Sequence, residues 1–95
     1  MGDISGKVAI VTGAGHGIGM AIVKALLREK VRVLATSRNL DALKDLEGKN
    51  LLLTSADLLD DRSFERIVSD CVAAYGGIDI VINNAGYGKK MLLVD

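Results

Sequence analysis

The chain has 95 residues, with 12 basic and 12 acidic side chains and no net charge. A neutral chain has no field to hold nucleic acid or an anionic membrane. One cysteine and one histidine cannot build a disulfide or a metal site. Half of the residues are apolar, an ordinary globular balance, and the length suits a single domain over 1–95. No apolar run approaches the roughly 18–20 residues of a membrane span, and MGDISGK at the start has no apolar signal core. The lone thiol fits a reducing compartment, so a cytoplasmic location is expected.

Two kinds of segment alternate along the chain. Val8-Ala-Ile-Val11 reads as a strand buried on both faces. A glycine-rich turn runs from Gly13 to Gly19. Ile18, Ile22, Val23, Leu26 and Leu27 then fall at helical spacing, and that helix should end near Lys30. Val31-Arg-Val-Leu-Ala35 is the second strand. Asn39 can cap a short helix carrying Leu40, Leu43 and Leu46, closed by Gly48. Leu51-Leu-Leu-Thr54 is the third strand. Asp60 or Asp61 caps a longer helix with Phe64, Ile67, Val68, Cys71, Val72 and Tyr75 on its apolar face, stopped by Gly76-Gly77. Ile78-Asp-Ile-Val-Ile82 is the fourth strand, after which the chain turns polar and glycine-containing. Strand and helix alternate three times before the last strand. That order predicts an α/β fold with a parallel sheet and right-handed crossovers.

The segment Thr12-Gly13-Ala14-Gly15-His16-Gly17-Ile18-Gly19 stands between the first strand and the first helix. Glycines there let a backbone approach a pyrophosphate, and the helix start offers free N–H groups and partial positive charge. The spacing is Gly-x-x-x-Gly-x-Gly, not the Gly-x-Gly-x-x-Gly of the best-known dinucleotide fingerprint. No Gly-Lys-Ser/Thr follows, so it is not a P-loop. The alternative is a tight turn whose glycines serve packing alone.

Thr12-Gly-x-x-x-Gly17-Ile-Gly19, taken with Asn83-Asn84-Ala85-Gly86, resembles the short-chain dehydrogenase/reductase family. The resemblance runs from about Lys7 to the C-terminus and covers the N-terminal half, or less, of a typical member. It implies a Rossmann-like, three-layer fold with four parallel strands in the order 3-2-1-4, truncated before the fifth strand. It also implies that Gly13, Gly17, Ile18 and Gly19 line the cofactor phosphates, with Thr12 steadying the turn. Asp57 is placed near the adenine amino group, against the alternative of a turn cap. Asn83, Ala85 and Gly86 resemble the segment beside the nicotinamide-side ribose, while Asn84 has a ligand or a structural role.

The end of the second strand discriminates NAD from NADP. A carboxylate there would accept from the ribose 2′-OH and repel a 2′-phosphate. Ser37 lies 18 residues after Gly19, and neither Asp nor Glu stands at 36–38. Arg38 can meet a 2′-phosphate bidentately and Ser37 can donate to it, so NADP(H) is expected over NAD(H). The alternative for Arg38 is a solvated loop cation. His16 is a weaker donor candidate or a plain surface residue.

The family's proton-transfer pair, Tyr-x-x-x-Lys with an upstream Ser, has no match. Tyr75 has Asp79 four residues on, and Tyr87 has Met91. Loss of a positioned acid removes about 10²–10⁴-fold from the rate. The 95 residues alone are therefore expected to be an inactive cofactor-binding half of an oxidoreductase. The other class open to the sequence is a non-catalytic nucleotide-binding or self-assembling module. With no fifth strand, the fourth becomes an exposed apolar edge, and a homo-oligomer through that edge is expected. Cys71 reads as core, and Lys89-Lys90 as solvated loop.

Overall fold

The computed structural model describes residues 3–15, 17–55, 61–84 and 90–93, with 61, 62 and 90–93 described by backbone alone. In chain order the elements are β1 (Val8–Thr12), α1 (Gly17–Arg28), β2 (Arg32–Ser37), a 3-10 helix (Asp41–Leu46), β3 (Leu51–Ser55), α2 (Asp61–Tyr75), β4 (Ile80–Asn83) and β5 (Lys90–Leu93). The sheet runs β3-β2-β1-β4-β5. Its first four strands are parallel in the expected order 3-2-1-4.

Buried strands need apolar side chains on both faces, and β1 has them. All five of its residues are buried. Ala9 and Val11 point into one layer with Val33, Ala35 and Val23 of α1, together with Leu40 and Leu43 around the 3-10 helix. Val8 and Ile10 point into the other, with Leu34 and with Ile67 and Cys71 of α2. The first two crossovers thus cover one face and the third covers the opposite face, as the alternating pattern predicts. Burial pushes the Cys71 thiol above its ordinary pKa, with nearby Arg32 pulling weakly the other way. The start of β1 is sealed by Asp79, whose carboxylate accepts from the Val8 amide at 2.8 Å while its own amide donates to the Val8 carbonyl at 2.8 Å.

Several boundaries and faces differ from the sequence reading. The short helix is a 3-10 helix whose cap position is Leu40, not Asn39, although the Asn39 carboxamide oxygen accepts from the Asp41 amide at 3.0 Å. Ile18, Leu46, Phe64 and Val72 sit at helical spacing with their neighbours but remain exposed. A short helix over a narrow sheet buries only the two or three positions facing it directly, such as Val23, or Ile67 and Cys71.

The largest correction concerns the sheet edge. β4 is not exposed, because β5 returns antiparallel beside it, from Asn83↔Lys90 to Ile80↔Leu93. An unpaired row of N–H and C=O groups takes the nearest extended chain as its partner. Lys90-Met-Leu-Leu93 is apolar enough and near enough in sequence to supply one. The expected open edge at β4 therefore gives way to a five-stranded mixed sheet in which the four parallel strands stand as expected.

Helix α1 ends in a Schellman turn. The Val31 amide donates to the Leu26 carbonyl at 3.0 Å, and the Lys30 amide donates to that of Leu27 at 3.0 Å. Lys30 occupies the left-handed position with φ 63°, where an L side chain crowds its own backbone. Lys30→Gly should therefore stabilise the protein by about 1 kcal/mol, after allowing for the extra freedom of glycine in the unfolded chain. A urea midpoint for Lys30→Gly at or below that of the parent chain would contradict this reading of the turn.

Candidate functional site

The C-terminal ends of β1, β2 and β4 lie side by side, with Thr12, Thr36 and Asn83 in one register. Ligands of open α/β sheets bind beyond such ends, where the strand order reverses. Here the reversal falls between β2 and β4, on either side of β1. The glycine loop leaves β1 at that point and enters α1 at Gly17.

Two kinds of requirement explain the loop's glycines. Gly13 and Gly17 take the left-handed backbone, with φ 61° and 59°. Gly19 answers to a neighbour instead. A Cβ there would collide with the carbonyl oxygen of Gly13 and stand 2.8 Å from the carboxamide nitrogen of Asn84. The first turn of α1 thus lies directly against the end of β1, where its unpaired N–H groups open onto the strand ends. Such an arrangement suits a diphosphate. Ile18, 57% exposed, stands at the mouth of this cradle and not in the core.

Thr12 holds the cradle to the sheet. It is fully buried. Its hydroxyl donates to the Asn83 carboxamide oxygen at 2.8 Å and accepts from the Asn84 amide at 2.8 Å. The Asn84 side chain in turn donates to the Gly13 carbonyl at 3.4 Å. Asn83 and Asn84 therefore tie the glycine loop to the end of β4, which is the structural role the sequence left open for Asn84.

On the other side, the Ala14 amide donates to the Thr36 carbonyl at 3.2 Å and draws the loop against the end of β2. Ser37 follows, half-buried, and Arg38 stands exposed, with no ion pair among the described residues. The Ser55 hydroxyl donates to the Arg38 carbonyl at 3.3 Å and fixes that backbone to β3. An open groove of about 530 Å³ borders Arg38, Asn39, Lys44, Glu47 and Ser55, with both signs of charge on its walls.

The structure therefore brings Gly13, Gly17, Ile18, Gly19, Ser37, Arg38 and Asn83 to one end of the sheet. Asp57, Ala85 and Gly86, and also His16, lie outside the described residues. Two residues here were not singled out from sequence. Gly15 is buried against the Ser37–Asn39 turn. Its presence in an alternating run of glycines was visible, but its reason is a contact with a distant segment. The Thr36 hydroxyl is buried with no hydrogen-bond partner among the described residues, a property only the fold reveals. Among those residues there is no cluster of side chains able to hold a metal, and no helix is long and apolar enough to cross a membrane.

A parallel sheet in this order, covered on both faces and opening at its reversal point onto a glycine cradle, defines a doubly wound, Rossmann-like α/β protein. The chain belongs to the short-chain dehydrogenase family, whose model, described as short chain dehydrogenase, matches residues 7–94. It is 35% identical over 98 residues to the 3-oxoacyl-(acyl-carrier-protein) reductase FabG of Salmonella typhimurium, covering 97% of this chain and 39% of that protein. An uncharacterized oxidoreductase of Schizosaccharomyces pombe is 40% identical over 82 residues, covering 86% of this chain and 28% of its own. Among solved structures, the apo glucose dehydrogenase of Caenorhabditis elegans superposes with a TM-score of 0.81 at 30% identity, over 92% of this chain and 40% of that one. The chain thus spans between 28% and 40% of the length of these relatives.

The latch is directly testable. Thr12→Val keeps the side-chain shape but leaves the Asn84 amide without its acceptor, and should lower stability by about 1–3 kcal/mol. The loss would be read as a lower urea midpoint at unchanged slope. Thr12→Ser should recover most of it. An unchanged midpoint for Thr12→Val would show that the hydroxyl does not hold the loop.

Proposed function

We propose that this chain is the NADP(H)-binding part of a short-chain dehydrogenase-type oxidoreductase. The observation that carries the reading is the cradle. The space of a Gly19 side chain is taken by the Gly13 carbonyl, so the start of α1 lies open at the strand ends beside Ser37 and Arg38. Members of the family use NAD(P), and the residues present fit such a group. Gly13, Gly17 and Gly19 would face the diphosphate, with Ile18 against its flank. Ser37 and Arg38 would take the 2′-phosphate. Asn83, Ala85 and Gly86 would lie along the nicotinamide-side ribose, and Asp57 beside the adenine. When bound, NADPH supplies a hydride. These 95 residues bind and orient that coenzyme. They have no Tyr-x-x-x-Lys pair to move the accompanying proton, so the reading gives them no carbonyl reduction of their own.

Calorimetry on the chain tests the reading. Binding of NADPH tighter than NADH is expected, with no NADPH oxidation when a panel of ketones is added. Arg38→Asp should move the NADPH-to-NADH affinity ratio toward NADH by roughly tenfold or more, since it exchanges a charge-assisted phosphate contact for a repulsion. Binding of neither nucleotide, or turnover by the chain alone, would contradict it.

A homo-oligomer also belongs to this reading, because members of the family commonly assemble. With β4 paired on both sides, association would run through exposed apolar side chains such as Phe64 and Val72 of α2. Sedimentation velocity at high protein concentration should show a species larger than the monomer. A clean monomer would rule association out.

A further inference from the structure

We infer that Gly15 is a positioning residue for 2′-phosphate selectivity, acting by setting where the Ser37–Asn39 turn stands. The inference rests on the NADP(H) reading above and extends it to a residue that touches no phosphate in that reading.

Gly15 and Gly17 are glycines for different reasons. A Cβ on Gly17 would meet nothing within 4 Å, and its requirement is the positive φ of 59°. Gly15 is buried, and a Cβ there would collide with the carbonyl oxygen of Asn39, 3.2 Å from its carbonyl carbon and 3.1 Å from the Ser37 hydroxyl oxygen. The absent side chain at 15 is filled by the turn that carries the two 2′-phosphate candidates. The colliding atom is backbone, so it cannot swing aside as the tip of a flexible side chain would.

The turn is pinned from three further directions. The Thr36 carbonyl accepts from the Ala14 amide at 3.2 Å, one residue before Gly15. The Arg38 carbonyl accepts from the Ser55 hydroxyl at 3.3 Å. The Asn39 carboxamide oxygen accepts from the Asp41 amide at 3.0 Å. A methyl group at 15 therefore has one outlet, which is to push the 37–39 backbone outward with the Ser37 hydroxyl and the Arg38 guanidinium on it. The nearest neighbours of a Cβ on Gly19 are the Gly13 carbonyl and Asn84, not this turn. The cost should fall on the 2′-phosphate end and spare the diphosphate end.

The test compares NADPH and NADH binding to the parent chain and to Gly15→Ala. A drop of roughly tenfold in the ratio of NADPH to NADH affinity is expected, nearly all of it from weaker NADPH binding, because a bidentate phosphate contact tolerates little displacement. Introduced into a Ser37→Ala, Arg38→Ala background, Gly15→Ala should change the ratio by less than about twofold, since it acts through the contacts those two side chains make. Asn39→Ala, which frees the turn and leaves the glycine loop intact, should lower the ratio in the same direction. Equal losses for both nucleotides, or additive effects with the Ser37→Ala, Arg38→Ala pair, would overturn the inference. A ligand-free readout separates it from the reading beneath it. Gly15→Ala should shift the amide resonances of residues 37–39 in the unbound protein. Unshifted resonances there refute the positioning role, whereas a parent chain that binds neither nucleotide refutes the NADP(H) reading.

Discussion

The carbonyl oxygen of Gly13 occupies the place where a side chain on Gly19 would begin. That single close approach draws the first turn of α1 down onto the end of β1. The Thr12 hydroxyl and the Asn84 carboxamide then lock the approach to β4. The Ala14 amide locks it to β2. Three strand ends and one helix start are thereby held together, and the first-turn amides of α1, which have no partner within the helix, stand at those strand ends. Remote parts of the structure serve this arrangement. The fully buried β1 can sit at the centre of the sheet only because layers cover it on both faces, and Asp79 anchors its opposite end.

The same economy governs the β2 side. The turn after β2 is short and pinned to β3, and it presses into the space left by Gly15. The glycine cradle and the proposed 2′-phosphate site are thus not independent loops. They share a wall one residue thick. In this account, discrimination at the ribose depends as much on a missing methyl group in the glycine loop as on the charge of Arg38.

Much of this was legible in the sequence, and the parts that were not share a cause. Short apolar runs such as Val8–Val11 announce strands because a strand buried on both faces has no polar alternation to confuse it. The paired motifs beginning at Thr12 and Asn83 pointed to the candidate site because each begins on the last residue of its strand. What sequence could not supply is which side chain meets which across the fold. Ile18 falls on the helical apolar spacing of α1 yet faces outward, because the helix start lies beyond the edge of the core. Gly15 looks interchangeable with its neighbours until the carbonyl of Asn39 is seen against it. Lys89-Lys90 read as solvated loop and no strand is expected after Asn83, because the pairing of Lys90–Leu93 with β4 depends on a ladder that no local pattern encodes. The unpartnered hydroxyl of Thr36 carries no sequence signal at all.

The most direct measurement is an NMR titration of the isotopically labelled chain with NADPH, following every backbone amide. The account predicts saturable shifts concentrated at Gly13, Gly15, Gly17 to Gly19 and Ser37 to Asn39, with the opposite end of the sheet around Val8 and Asp79 unmoved. Saturable shifts centred elsewhere, or none at any NADPH concentration in a folded sample, would contradict it.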